Sequence, residues 1–375
     1  MYLSRLSRNT IPVVLIVWLV GRVAYGGTMR FGVSARPESG TNAELLAIEK
    51  SLVRLEKALR RASARGGPVA TLVVADDRVV YQQAVKGDGD QDMFVTASSS
   101  KWLIASVMMA LVDKGLISLD APVSRYLPEF DDGKGGITIR HLLSHTSGLP
   151  PNLRPRRRYA VDLETAARHI GRTVKLSSEP GTRFCYGNLS FQVAARVAEV
   201  VARKRWPVVF REQLGEKTGM TKTHYPMVGL GGGLYQVRTT LHDYVHFLRM
   251  FQNRGVSLTG ERVLSEEAVF EMLRDQTTHM EMSCIDRRVH EKTNRMSYGL
   301  GLWRELVDPI TDEPEAVSHF GTSGFGGVIN FSHRYVVAMG YKGQRRKGKI
   351  RLVQHYVRSL PFINRLADIG HFLDD

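Results

Sequence analysis

The stretch Phe94-Val-Thr-Ala-Ser98-Ser99-Ser100-Lys101-Trp102 decides how the rest of the chain is organised. From Trp102 to Val112 only Ser106 is polar, so the segment reads as a helix buried on every side. Gly115, just after Lys114, supplies its C-terminal stop. Ser98 and Lys101 lie three residues apart, which on a first helical turn points both side chains the same way. The Ser98 hydroxyl then sits in the partial positive charge of the helix N-terminus. Burial disfavours the charged form of a lysine, so Lys101 should titrate below its usual value of about 10.4. A serine beside a desolvated lysine is a nucleophile with its base. The same four letters also fit a polar helix cap, at Ser98 or Ser99, with a lysine reaching out to water. The surrounding chain has to decide.

With 375 residues and 43% hydrophobic content, the chain can bury a substantial core in one large or two ordinary domains. The net charge of +15 and a pI near 9.9 allow attraction to anionic polymers or to an anionic cell envelope. A specific nucleic-acid partner is not expected. The densest basic runs, 154–158 and 342–351, are not interleaved with aromatic residues for base stacking and read as solvated loops. The two cysteines, Cys185 and Cys284, do not make a disulfide framework, and Cys185 reads as a small buried residue. His141 and His145, like His242 and His246, are spaced i, i+4 without an obvious third ligand and read as structural; no metal site is expected.

Residues 1–26 have the pattern of an export signal or N-terminal anchor: Arg5 and Arg8, an apolar or small run over 11–21, and small residues at Ala24 and Gly26. The mature protein is therefore expected outside the cytoplasm, periplasmic or extracellular. Residues 27–41 read as a linker, and 42–64 carry a helical stripe of leucine and isoleucine. Two strands, 68–75 and 78–85, meet at an Asp-Asp turn. Asp120 and Pro122 read as the cap and first turn of a further helix. Helical segments are expected over 191–202 and 241–251. Past residue 280 short strand-like runs return, at 298–304, 316–320, 327–331 and 335–341, before a helical pattern over 350–360. The expected fold class is α/β (α+β): an antiparallel sheet flanked by helices and built from both chain ends, 42–97 and 280–375. A mainly helical part, 98–279, is inserted between them, with a cleft at the junction.

Two further stretches could complete a site in that cleft. Pro180-Gly-Thr-Arg-Phe-Cys-Tyr186-Gly187-Asn188 offers a tyrosine able to relay a proton and an asparagine able to hold a substrate amide or a lysine. Ser318-His319-Phe320-Gly321-Thr322 reads as a strand edge where Gly321 lets a substrate approach the backbone. The Thr322 and Ser98 amides could then form an oxyanion hole. Taken alone, Tyr186 and Asn188 also fit a buried tyrosine and a loop cap, and His319 a core or surface histidine.

Together these stretches resemble the serine β-lactamase and penicillin-binding-protein superfamily, whose signature is a Ser-x-x-Lys, a second polar motif and a Lys-Thr-Gly-type strand. The chain is most similar to the class C β-lactamase branch, which also holds D-alanyl-D-alanine carboxypeptidases, D-aminopeptidases and esterases. Ile139-Arg-His-Leu-Leu-Ser-His-Thr-Ser-Gly-Leu-Pro150, Gly231-Gly-Gly-Leu-Tyr235 and Tyr298-Gly-Leu-Gly-Leu302 are also similar to blocks of that branch, in its order. The resemblance implies an acyl-enzyme on Ser98, with Lys101 and Tyr186 sharing the proton traffic. It implies substrate binding by Asn188, His319, Gly321 and Thr322, with no cofactor and no metal. His319-Phe320-Gly321 departs from Lys-Thr-Gly by exchanging a permanent cation for a titratable ring and a hydroxyl for an apolar one. Both changes weaken carboxylate binding, so a D-amino-acid peptide or a carboxylic ester is expected ahead of a β-lactam. Gly187, in the middle of Tyr-Gly-Asn, is expected to open the pocket. The competing class is a non-catalytic envelope-binding or sensing module, which the retained Ser98, Lys101 and Tyr186 argue against.

Overall fold

The computed structural model describes residues 56–342 apart from 58, 62, 65, 66, 154–161, 226–233, 279 and 285–296. Residues 1–41, most of the expected 42–64 helix, the 154–158 run and the expected 350–360 helix lie outside the described residues. The chain enters through two strands joined at Asp76-Asp77, β1 (Val69–Ala75) and β2 (Arg78–Val85), then a short β3 (Phe94–Val95). Both turn aspartates adopt positive φ, which short polar side chains tolerate. The helical part follows: α1 (Ser100–Asp113), α2 (Ile139–Leu143), α3 (Leu163–Thr173), β4 (Arg183–Cys185), α4 (Leu189–Ala202), α5 (Trp206–Phe210), β5 (Arg238–Thr239), α6 (Leu241–Gln252) and α7 (Glu266–Leu273). It gives way to β6 (Glu281–Ser283), β7 (Ser297–Tyr298), β8 (Trp303–Arg304), β9 (Ala316–Phe320), β10 (Gly326–Asn330) and β11 (Tyr335–Tyr341).

Among the described residues, seven strands make one sheet in the order β2-β1-β11-β10-β9-β8-β7, every neighbouring pair antiparallel. The first strands of the domain lie against the last, Val69 opposite Tyr341 and Ala75 opposite Tyr335. This is the α/β arrangement expected, an antiparallel sheet closed by both ends around helices. β1 and β11 are buried along their whole length because both faces of the sheet are covered. Ala70, Leu72, Val74, Val336 and Ala338 face the main core, which they share with α1, α4 and α6. Val69, Val73, Val337, Met339 and Tyr341 face a second layer that includes Leu59. The two-residue period of a strand makes that division automatic.

Helix α1 runs through the main core and is buried from Ser100 to Leu111. Trp102 meets Phe247 and Phe251 of α6 edge to face, at 5.5 and 5.2 Å. Two local expectations need correction. The Asp120–Val123 segment makes only a 3₁₀ turn, Val123–Arg125, because the Asp120 carboxylate is paired with Arg140 at 2.7 Å instead of capping a helix. Cys185 and Cys284 are bonded to each other across 99 residues. No local spacing could have shown that pair, because what joins them is the parallel pairing of β4 with β6. Lys342, the first residue of the 342–351 run, is exposed and pairs with Asp92 at 2.5 Å, and the rest of that run lies outside the described residues.

Candidate active site

The nucleophile candidate stands where the sheet edge meets the head of α1. Ser98 lies in a 3₁₀ turn, Ala97–Ser99, that feeds directly into the helix. Ala97 is held at φ +48°, an unusual conformation for a residue with a Cβ, and it tips Ser98 out of the helical path. Neighbouring polar side chains lock the turn. Ser99 Oγ donates to the carbonyl oxygens of Phe325 (2.7 Å) and His319 (3.1 Å), and Ser100 Oγ donates to Ala97 O (2.6 Å). The helix head is thereby stitched to β9 and to the turn after it. Gly321 completes the fit: a Cβ there would lie 2.1 Å from Thr96 O and 2.9 Å from Ser98 N. Gly321 N–H donates to Phe325 O, and Gly324 N–H to Gly321 O, so a closed turn that includes Thr322 follows β9.

Lys101 Nζ lies 3.3 Å from Ser98 Oγ and donates to Asn188 Oδ1 at 3.0 Å. The residue is fully buried, and that burial brings its ammonium down to about 7. At neutral pH a large fraction of Lys101 therefore carries a free lone pair, as a base for Ser98 requires. The other hydrogen-bonding arm of Asn188, Nδ2, donates to Asn152 Oδ1 at 2.9 Å, so the side chain that orients Lys101 is itself oriented.

Tyr186 and His319 form the other wall. The Tyr186 hydroxyl is 2.9 Å from His319 Nε2, and His319 Nδ1 is 2.8 Å from the Gly301 carbonyl. A carbonyl only accepts, so Nδ1 carries the hydrogen, and Nε2 must accept the Tyr186 proton. Burial, reinforced by the nearby Lys101, brings the imidazole down to about 3, so it stays neutral. Burial raises the Tyr186 phenol, partly offset by its interaction with the Ser98 hydroxyl. Tyr186 is thus an uncharged relay with its hydrogen on His319 and its oxygen toward Ser98. Trp303 stacks on its ring at 5.7 Å.

The structure brings together Ser98, Lys101, Tyr186, Asn188, His319 and Gly321, all named from the sequence. It corrects the expectation for Gly187. A Cβ there would lie 2.3 Å from Pro151 Cα, so the glycine closes the loop onto Pro151 and opens no pocket. His145, two residues past the end of α2, is more than a structural histidine. Its ring lies 4.4 Å from that of Tyr186, its carbonyl accepts from Cys185 N–H at 2.9 Å, and Gly187 N–H reaches its Nδ1 at 3.4 Å. His145 therefore grips the chain on both sides of Tyr186. Asn152, Tyr235 and Trp303 also touch the site. Their letters carried no chemical pattern, because each arrives from a different segment only on folding. Among the described residues no group of His, Cys, Asp and Glu could hold a metal ion.

The Beta-lactamase family model matches residues 52–352. The chain belongs to the β-lactamase family. The members of this fold family include esterases, carboxypeptidases and penicillin-binding-protein-like chains, which are serine hydrolases. A candidate β-lactamase from Bacteroides dorei superposes with a TM-score of 0.73 at 30% identity, covering 83% of this chain and 98% of that one. The esterase EstB of Burkholderia gladioli is 38% identical over 97 residues, 22% of this chain and 24% of its own. Penicillin-binding protein 4 of Amycolatopsis lactamdurans is 25% identical over 62% of this chain and 66% of its own. The matches thus span from about a quarter to two thirds of the length of these two relatives.

Proposed function

We propose that this β-lactamase-family chain is an exported serine hydrolase that forms an acyl-enzyme on Ser98 and prefers carboxylic esters, or amides, with no carboxylate beside the bond that breaks. In this reading Lys101 takes the Ser98 proton as Oγ attacks the carbonyl carbon. The Ser98 and Thr322 amides hold the developing oxyanion. Lys101 returns the proton to the leaving oxygen, the Tyr186 hydroxyl turning from His319 to share that transfer, and an alcohol departs. Water then attacks the acyl-enzyme along the same relay, and the acid leaves with Ser98 restored. Tyr186 moves a proton without storing charge, because burial keeps it a phenol.

The observation that carries the substrate preference is the commitment of His319. Both ring nitrogens are used inside the protein, the ring is fully buried, and it is neutral. It cannot supply the cation a substrate carboxylate would need, and Phe320 follows it where a hydroxyl would help. The reading of neutral esters ahead of carboxyl-ended D-peptides and β-lactams is supported by this commitment of His319. The relative named as an esterase supports an ester among the substrates. Export is supported by the 1–26 pattern and by the Cys185–Cys284 bond, since disulfides persist in oxidising compartments. The charge of +15 suits work near an anionic envelope.

The test compares kcat/KM for p-nitrophenyl butyrate with that for p-nitrophenyl hemisuccinate, which differs by a terminal carboxylate. The wild type should favour the neutral ester by about tenfold or more, the worth of one unanswered charge–hydrogen-bond contact. His319→Lys should narrow the gap. Equal or faster turnover of the hemisuccinate by the wild type would refute the preference.

A further inference from the structure

Lys101 Nζ sits among aromatic faces: 4.7 Å from the ring centroid of Tyr186, 4.7 Å from that of Tyr235 and 5.9 Å from that of Phe191. Tyr186 belongs to the proton relay and Phe191 to the core of α4. Tyr235 comes from the chain leading into β5 and is partly exposed. Its hydroxyl donates to the backbone carbonyl of Asn188 at 2.6 Å. The same side chain thus touches the base through its ring and holds the peptide of the residue that orients the base.

We propose that Tyr235 is a positioning residue for Lys101, its ring face stabilising the ammonium form and its hydroxyl holding the Asn188 peptide in place. This rests on the reading of Lys101 as the base for Ser98. Two opposed effects act on Lys101. Burial drives Lys101 toward the neutral form, and its hydrogen-bond partners among the described residues, Ser98 and Asn188, are uncharged. The titratable groups facing it from the other elements are Tyr186 and Tyr235, with His145 and His319 acting on it from further off. A histidine is neutral or cationic and so is no counter-charge to an ammonium; burial keeps both uncharged, so neither sets a second positive charge beside Lys101. What favours the cation is the negative face of the rings, strongest where water is excluded. A base that must collect a proton from Ser98 and hold it until the leaving group needs it requires that stabilisation. Tyr235 supplies it without an acidic partner, which would lock Lys101 in its charged form.

The experiment is an NMR titration of Lys101 in the full-length protein labelled with ¹³Cε-lysine, its signal assigned by its absence in Lys101→Met. Tyr235→Leu keeps an apolar wall and removes the ring face. Its Lys101 midpoint should fall by about one pH unit, the size of a desolvated cation–π contact. Tyr235→Phe keeps the face and should leave the midpoint where it is. The acid limb of ester acylation should move with the Tyr235→Leu midpoint and stay put in Tyr235→Phe. If Tyr235→Leu fails to fold, Tyr235→Met poses the same question. An unchanged or higher midpoint in the ringless variants would overturn the proposal. The titration needs no substrate, so a failure of ester hydrolysis would count against the functional reading and leave this result separately legible.

Discussion

Lys101 is the residue whose state sets the chemistry. Its folded value, about 7, lies below the usual 10.5 because the side chain is fully buried. Only the neutral amine accepts the Ser98 proton, so kcat/KM for a neutral ester should rise with pH, with a midpoint near 7, and fall on the acid side. His319, lowered to about 3, stays neutral across the same range and adds no second limb. A stopped-flow pH profile of acylation checks this; a flat profile from pH 5 to about 9 would be inconsistent with a neutral-lysine base. The residue scale is also where the sequence was most legible. Ser98 and Lys101 are chemical letters whose spacing survives folding, and Tyr186 joins them through the motifs that resemble the family. Tyr235 and Asn152 could not be named in advance. Their contribution is one of place, set by which segments meet, and nothing in Leu234-Tyr235-Gln236 shows that its ring will face an ammonium.

At the scale of elements, the site is a junction held by close backbone approaches. β9 delivers His319 and Gly321 to the head of α1, and Ser99 ties the two together through the carbonyl oxygens of His319 and Phe325. Gly321→Ala would press a Cβ to 2.1 Å from Thr96 O and 2.9 Å from Ser98 N. The junction must shift, moving the two amides assigned to the oxyanion hole. Acylation should slow by about 10²–10³, the usual effect of losing an oxyanion donor, while substrate binding changes much less. Single-turnover kinetics separate the two, and an acylation rate within a few-fold of wild type would remove Gly321 from the account. The strands and helices themselves were largely readable from their periods and turn residues. Gly187 was not, because a glycine can be there to open space or to let another segment come close. Only the position of Pro151 decides which.

For the molecule as a whole, the sheet joins the first and last described strands around the helical part, and the Cys185–Cys284 bond adds a long-range tie from β4 to the end of β6. Cys185 directly precedes Tyr186, so the bond braces the strand that presents the relay. Closing a loop of 99 residues removes unfolded-state entropy worth about 2–4 kcal/mol. Reduction should therefore lower Tm by several degrees, by roughly 1–2 °C per kcal/mol or more in a chain of this size. It should also slow turnover through Tyr186. Calorimetry and ester assays with and without reductant test this; an identical Tm and rate would deny the bond any bracing role. That tie was invisible in the sequence for the same reason as Tyr235: the two thiols are neighbours only after the parallel β4–β6 pairing has formed.

Turnover by this route requires an acyl group on Ser98. Intact-protein mass spectrometry after brief mixing with p-nitrophenyl butyrate reads it directly, with Ser98→Ala as the control. The expected result is a butyryl adduct on the wild type that appears, then clears as butyrate is released, and that never forms on folded Ser98→Ala. An adduct of equal yield on Ser98→Ala, or turnover by that variant near the wild-type rate, would contradict the assignment of Ser98 as the nucleophile.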